Sequence, residues 1–149
     1  MQPLAEELRS EVEAAQLRLR AIDEGAASAD RGAGKWVAKE ILGHLIDSAA
    51  NNHQRFVRAP LADPFVWPGY AQNGWVAAHG YRDRRWAELV DLWTALNRHL
   101  ACVIESVPAS ALPIRCRIGD DEPVTLEWLM RDYLRHLRHH LAQILPPRA

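Results

Sequence analysis

Three of the seven histidines in the 149-residue chain, His136, His139 and His140, fall within the stretch RDYLRHLRHHLAQIL, Arg131 to Leu145. Imidazole is neutral near physiological pH, so its nitrogen can carry a proton or bind a first-row divalent ion. A helix turns about 100° per residue, which leaves positions four apart roughly 40° from each other and one turn removed. His136 and His140 are such a pair, and both can chelate one Zn²⁺, Ni²⁺ or Fe²⁺ without backbone strain. On the same helical wheel the pair borders the apolar arc of Leu126, Met130, Tyr133, Leu134, Leu137, Leu141 and Ile144, with Leu129 between. His139 points away from that arc, toward solvent.

A third ligand has to come from another element. In KEILGHLIDSAANNHQRF the two histidines, His44 and His53, are nine residues apart, roughly half a turn round a helix, so both cannot serve one site. Spacing does not choose between them. His44 shares a polar stripe with Ser48, Asn51 and Arg55, and Asp47 is a candidate to orient a ligand imidazole. No side chain reads as a nucleophile: Ser48 has no inferable triad, and Cys102 falls on the wrong side of its helix. Asn97, inside an apolar arc, reads as a hydrogen-bonded core residue.

The elements that must position these groups are helices. Leu4, Leu8, Val12, Ala15, Leu19 and Ile22 recur every three or four residues, giving a first amphipathic helix that the glycines of DEGAASADRGAGK end. A second helix is predicted from Val37 to Arg58, stopped by Pro60. A third opens with Asp83 as N-cap and buries Trp86, Leu89, Val90, Trp93, Leu96, Leu100, Val103, Ile104 and Val107. The last runs from Leu126 to Leu145, capped by Thr125, with Glu127 in its first turn. Between the second and third lies a long loop, APLADPFVWPGYAQNGWVAAHGY, too aromatic for a solvated linker and therefore read as functional. Alternation of Ile114, Cys116 and Ile118 with Arg115 and Arg117 predicts a short irregular or hairpin segment before the last helix. The fold class expected is all-α, an antiparallel four-helix bundle in one domain over residues 1–149.

Composition narrows the function. Eighteen basic and 19 acidic side chains give a net charge of −1, and their mixing along the chain argues against nucleic acid or anionic lipid as partner. There is no apolar run of membrane-spanning length and no signal-peptide pattern, so a cytoplasmic protein is expected. Two cysteines, Cys102 and Cys116, make neither a disulfide framework nor a close-spaced metal site.

Four segments, KWVAKEILGHLIDSAANNHQRFVRA, WPGYAQNGW, LWTALNRHL and GDDEPVTLEWLMRDYLRHLRHHLAQI, give nearly the whole chain a resemblance to the DinB-like superfamily. That resemblance implies a bundle in which one histidine of the second helix and a His-x-x-x-His pair of the last hold a divalent ion, often with water. By motif position the ligands are His44, His136 and His140; His53 and His139 do not correspond. Zinc or nickel is the expected ion, with iron or manganese as alternatives. Two departures stand out: Val37 and Ala38 replace the usual hydroxyl cap and proline, and Ala71 and Asn73 replace two loop carboxylates.

The resemblance further implies an enzyme that uses a low-molecular-weight thiol such as bacillithiol or mycothiol for S-transfer to a small molecule, acting as a homodimer. Arg55 and Tyr70 are its candidate catalytic residues, and Asn51, Gln72 and Trp75 its candidate pocket residues. A metal-dependent hydrolase and a non-catalytic metal-binding or stress protein are the alternatives. Three neutral imidazoles leave an ion an open position, as in catalytic rather than structural sites.

Overall fold

The computed structural model describes residues 1–145. Four long helices build the core: α1 (Gln2–Arg20), α3 (Ala38–Arg58), α5 (Trp86–Ser106) and α6 (Leu126–Ile144). Two short ones, α2 (Glu24–Ser28) and α4 (Gln72–His79), lie in the connections. The apolar stripes read from the sequence are mostly buried, with Leu8, Leu19, Leu42, Leu45, Trp93, Leu100, Met130 and Leu137 at the centre, while Ile22, Leu96, Val103 and Ile144 are half-buried at the margin. Asn97 is hydrogen-bonded within that core, donating to the Trp93 carbonyl at 2.9 Å and accepting from the Tyr133 hydroxyl.

The order of helices around the bundle departs from simple up-and-down winding. Helix α1 packs on α5, α5 on α3, α3 on α6, and α6 closes on α1, so α1 and α3, consecutive long helices, face each other diagonally. Side-chain pairs set the directions. Arg9 with Glu105, Gln16 with Arg98 and Arg20 with Asp91 make α1 and α5 antiparallel. His44 meets His136 while Phe56 meets Tyr133, so α3 and α6 are antiparallel too. Glu24 of α2, however, ties together the first turns of α3 and α5, pairing with Lys39 and accepting from the Trp86 amide at 2.9 Å. Those two helices run parallel, which corrects the expectation of antiparallel neighbours throughout. A parallel return must travel the length of a 21-residue helix, about 30 Å at 1.5 Å per residue, and this accounts for the long connection between them.

That connection is not a loop. It forms strand β1 (Phe65–Trp67) and then α4. Strands β2 (Arg115–Ile118) and β3 (Val124–Thr125) make the antiparallel hairpin that the alternation suggested. β1 pairs parallel to β2, Phe65 opposite Cys116 and Trp67 opposite Ile118. The three-stranded sheet means that the fold is mostly helical rather than purely all-α. No helix among the described residues is long and apolar enough to cross a membrane.

Helix ends follow local chemistry. Thr125 Oγ1 accepts from the Trp128 amide at 3.1 Å, the expected cap of α6. Val37 offers α3 no side-chain acceptor, but Glu40 reaches back to the Val37 amide at 2.9 Å. Asp83 does not cap α5. It sits in a 3₁₀ turn, Tyr81–Asp83, and α5 begins at Trp86, whose free amide is taken by Glu24 instead. Proximity in space supplies the carboxylate that local sequence does not.

Candidate metal centre and adjoining cavity

Helices α3 and α6 bring His44, His136 and His140 together, their ligand nitrogens all within 4.8 Å of one another. The Nε2 atoms of His44 and His136 are 3.1 Å apart, the spacing of two nitrogen ligands each about 2.0–2.1 Å from a shared ion. His140 Nδ1 lies 3.3 Å from Gln143 Oε1; an N–H there donates to the amide oxygen and leaves Nε2 free to bind. The His44 ring is fully buried and tilts against Trp36, centroids 5.2 Å apart. Among the described residues, this is the one group of three or more His, Cys, Asp or Glu with metal-site spacing.

Electrostatics suit a neutral donor set. Burial, then the neighbouring imidazoles, push His44 and His136 down to about 4. His140 is lowered as well, chiefly by burial. All three lone pairs are therefore available at neutral pH, and three imidazoles this close without an ion bring no charge of their own. The donor set fits a borderline divalent cation.

The other sequence candidates divide. His53 faces away and approaches His99 on α5, Nε2 to Nε2 3.3 Å, while His139 is exposed beside Gln143. Asp47 orients none of the three ligands. It is buried, and its Oδ1 accepts from the Tyr81 hydroxyl at 2.7 Å and faces His79 Nδ1 at 3.0 Å. The carboxylate thus anchors the end of α4 to α3. Gly43 makes this possible, since a Cβ there would stand 2.1 Å from the Tyr81 ring, and Gly80 (φ 59°) ends α4 in the left-handed conformation that turns Tyr81 inward.

A cavity of about 450 Å³ opens beside the cluster, reaching His136. Arg55, Tyr70 and Gln72 are among its walls; Asn51 and Trp75 are not. Asn51 turns its amide back to the Asp47 carbonyl at 3.0 Å, and Trp75 covers Tyr70 from outside, centroids 4.9 Å apart. Burial, with Asp47 nearby, pushes the Tyr70 phenol up to about 12, so it is a neutral hydrogen-bond donor. Cys116 also lines the cavity, but burial pushes its thiol up to about 11, which favours the neutral thiol. A second hollow of about 410 Å³ is walled by Trp36 and Gln143, the partners of His44 and His140, with Arg31, Lys35 and Asn73; none of the three histidines lines it. Sequence reading assigned no role to Trp36, Gln143, Tyr81, Asp121 or Glu122, although all five stand in the quoted stretches; their positions at the site depend on contacts between distant segments.

A family model described as DinB superfamily matches residues 1–144. Among solved structures, the chain is similar to YfiT from Bacillus subtilis, described as a probable metal-dependent hydrolase with an unusual four-helix bundle topology: TM-score 0.78, 19% identity, covering 96% of this chain and 81% of that one. It is also similar to a mycothiol-dependent maleylpyruvate isomerase, with TM-score 0.74 and 13% identity over 96% of this chain. A His-to-Ala mutant of such an isomerase gives TM-score 0.77 and 14% identity over 99%. The chain spans 58% and 60% of those two isomerase chains. No curated protein matches the sequence.

Proposed function

The chain belongs to the DinB superfamily, and from that premise we propose that it is a metal-dependent enzyme acting on small molecules, with His44, His136 and His140 as ligands of one divalent ion and a low-molecular-weight thiol as cosubstrate. The observation that carries the reading is the convergence of three neutral imidazoles from two helices, one of which, His136, lines the adjoining cavity. When bound, an ion held by three imidazoles keeps an open position and supplies a thiolate or hydroxide nucleophile near neutral pH. Cys116 is buried and burial pushes its thiol up to about 11, which supports an external thiol over the chain's own as the sulfur source. In S-transfer the cosubstrate's sulfur forms a bond to an electrophilic carbon, the leaving group departs with its electron pair, and the thiol proton passes to solvent. Tyr70 donates a hydrogen bond to the substrate and Gln72 borders its path. Zinc or nickel suits the imidazole set, with iron or manganese as alternatives. A cytoplasmic homodimer is the form the family resemblance supports.

The test begins with elemental analysis of untagged protein never exposed to a nickel column, beside a His44→Ala, His136→Ala double variant. About one ion per chain in the wild type and none in the variant is expected. The loaded protein is then given monochlorobimane with cysteine, N-acetylcysteine, bacillithiol or mycothiol. Thiol consumption that saturates and requires the metal supports the proposal. Stoichiometric metal with no acceleration for any thiol overturns the transferase reading, and metal-dependent cleavage of p-nitrophenyl acetate without thiol replaces it with a hydrolase.

A further inference from the structure

The cavity wall holds a buried cation, Arg55, that no carboxylate contacts among the described residues. Arg55 is 8% exposed, its Nη1 donates to Asn52 Oδ1 at 3.3 Å, and its Nε has no partner. No carboxylate among the described residues pairs with it. Other arginines behave differently: Arg9, Arg131, Arg135 and Arg138, none of them buried, each meet an acid. A guanidinium has five N–H donors in a rigid fork, and taking its charge out of water is costly unless an anion or several acceptors answer it. Asn52 is itself fixed, its amide nitrogen donating to the Ser48 carbonyl at 2.9 Å, so its oxygen is held toward Arg55. The fork is thus oriented but largely unspent.

We propose that Arg55 anchors a carboxylate of the small-molecule substrate, whose apolar body lies along Ile118, Val124, Leu129 and Trp128 with its reactive end toward His136. The proposal rests on the metal-centre reading only for where the reactive end points. Charge selects the class of anion. Arg55 is the one arginine or lysine in the walls, while Asp121 and Glu122 stand exposed at the mouth and Asp132 is already paired with Arg135 at 2.6 Å. A phosphate dianion would meet more negative charge than one guanidinium answers, whereas a planar monoanion matches the fork in two hydrogen bonds.

Calorimetric titration of the metal-loaded, full-length protein with benzoate, its neutral isostere benzamide, and inorganic phosphate tests this. Benzoate is expected to bind saturably, and roughly 10- to 100-fold tighter than benzamide, the loss of a charged hydrogen-bonded partner. Arg55→Gln should erase the difference and Arg55→Lys should restore part of it, with metal content measured on every sample. Chelator-stripped wild type should keep the preference for benzoate. No saturable benzoate binding below about 10 mM, a Kd worth less than about 3 kcal/mol, overturns the proposal, as does tighter binding of phosphate. A benzoate preference that survives in Arg55→Gln but vanishes on stripping puts the anion on the metal: that result also overturns the assignment, while leaving the metal centre intact. A wild type that holds no metal even after reconstitution, yet keeps a benzoate preference that Arg55→Gln erases, overturns the metal reading and supports the anion site.

Discussion

His44 on α3 and His136 on α6 are 92 positions apart in the sequence and 3.1 Å apart at their Nε2 atoms. Diagonal placement of α1 and α3 puts α3 against α6, and this contact lets a single histidine meet a His-x-x-x-His pair.

Replacing any of His44, His136 or His140 with Ala is expected to abolish stoichiometric metal binding in a protein that stays helical. His139→Ala and His53→Ala should each retain about one ion per chain. Gln143→Ala, which removes the partner of His140, should weaken affinity by roughly 10- to 100-fold. Elemental analysis with chelator competition measures all of these, and equal metal retention across the set would refute the ligand assignment.

Metal-free protein should lose stability as pH falls. His44 and His136 titrate at about 6.5 in an unfolded chain and about 4 in the fold. Between those values the unfolded state binds more protons, so unfolding free energy drops as pH is lowered through the window, and the loss is complete below about 4. Thermal melts of the chelator-stripped protein from pH 7 to 4 should show a falling Tm, with a shallower slope in the His44→Ala, His136→Ala double variant. Parallel slopes would rule out these two residues as the cause.

Gly43→Ala should destabilise the protein by about 1–3 kcal/mol, because the new methyl group enters the space of the Tyr81 ring. Tyr81→Phe should cost a similar amount, about 1–3 kcal/mol, by leaving the buried Asp47 carboxylate short of a donor. In the double variant the costs should not add, since both act on one ring. Urea unfolding provides the cycle; strict additivity would mean that the two residues are not coupled.

Tyr133→Phe is expected to cost about 1–3 kcal/mol, since it strips the buried Asn97 oxygen of its hydroxyl donor. Adding Asn97→Leu should recover part of that loss by removing the orphaned polar group. The same unfolding measurement decides it, and a neutral Tyr133→Phe would show that water reaches Asn97.

What was legible in the sequence follows a physical division. Stripes such as Leu126–Met130–Leu134–Leu137–Leu141 are periodic and local, so the long helices, the Thr125 cap and the margin position of His136 and His140 could be read directly. Choosing His44 over His53 needed a family resemblance, because two residues half a turn apart face different neighbours and periodicity does not name those neighbours. The parallel run of α3 and α5, β1 beside β2, and the Glu24 cap on α5 depend on contacts between distant segments, for which a local pattern holds no signal. Asp47 misled for the same reason: its position on α3 is near His44, but its partners arrive from the end of α4.

The long return from α3 to parallel α5 divides the labour of the molecule. The cluster of imidazoles stands wholly on helices locked into the core, whereas much of the cavity wall, from Gly69 to Gln72 and from Cys116 to Val124, belongs to the two strand-bearing crossovers. Substitutions in those crossovers can remodel which molecule is admitted while the helices go on presenting the same three nitrogens. Such an architecture allows new substrates to be acquired by drift in the connections, without rebuilding the chemistry beneath them.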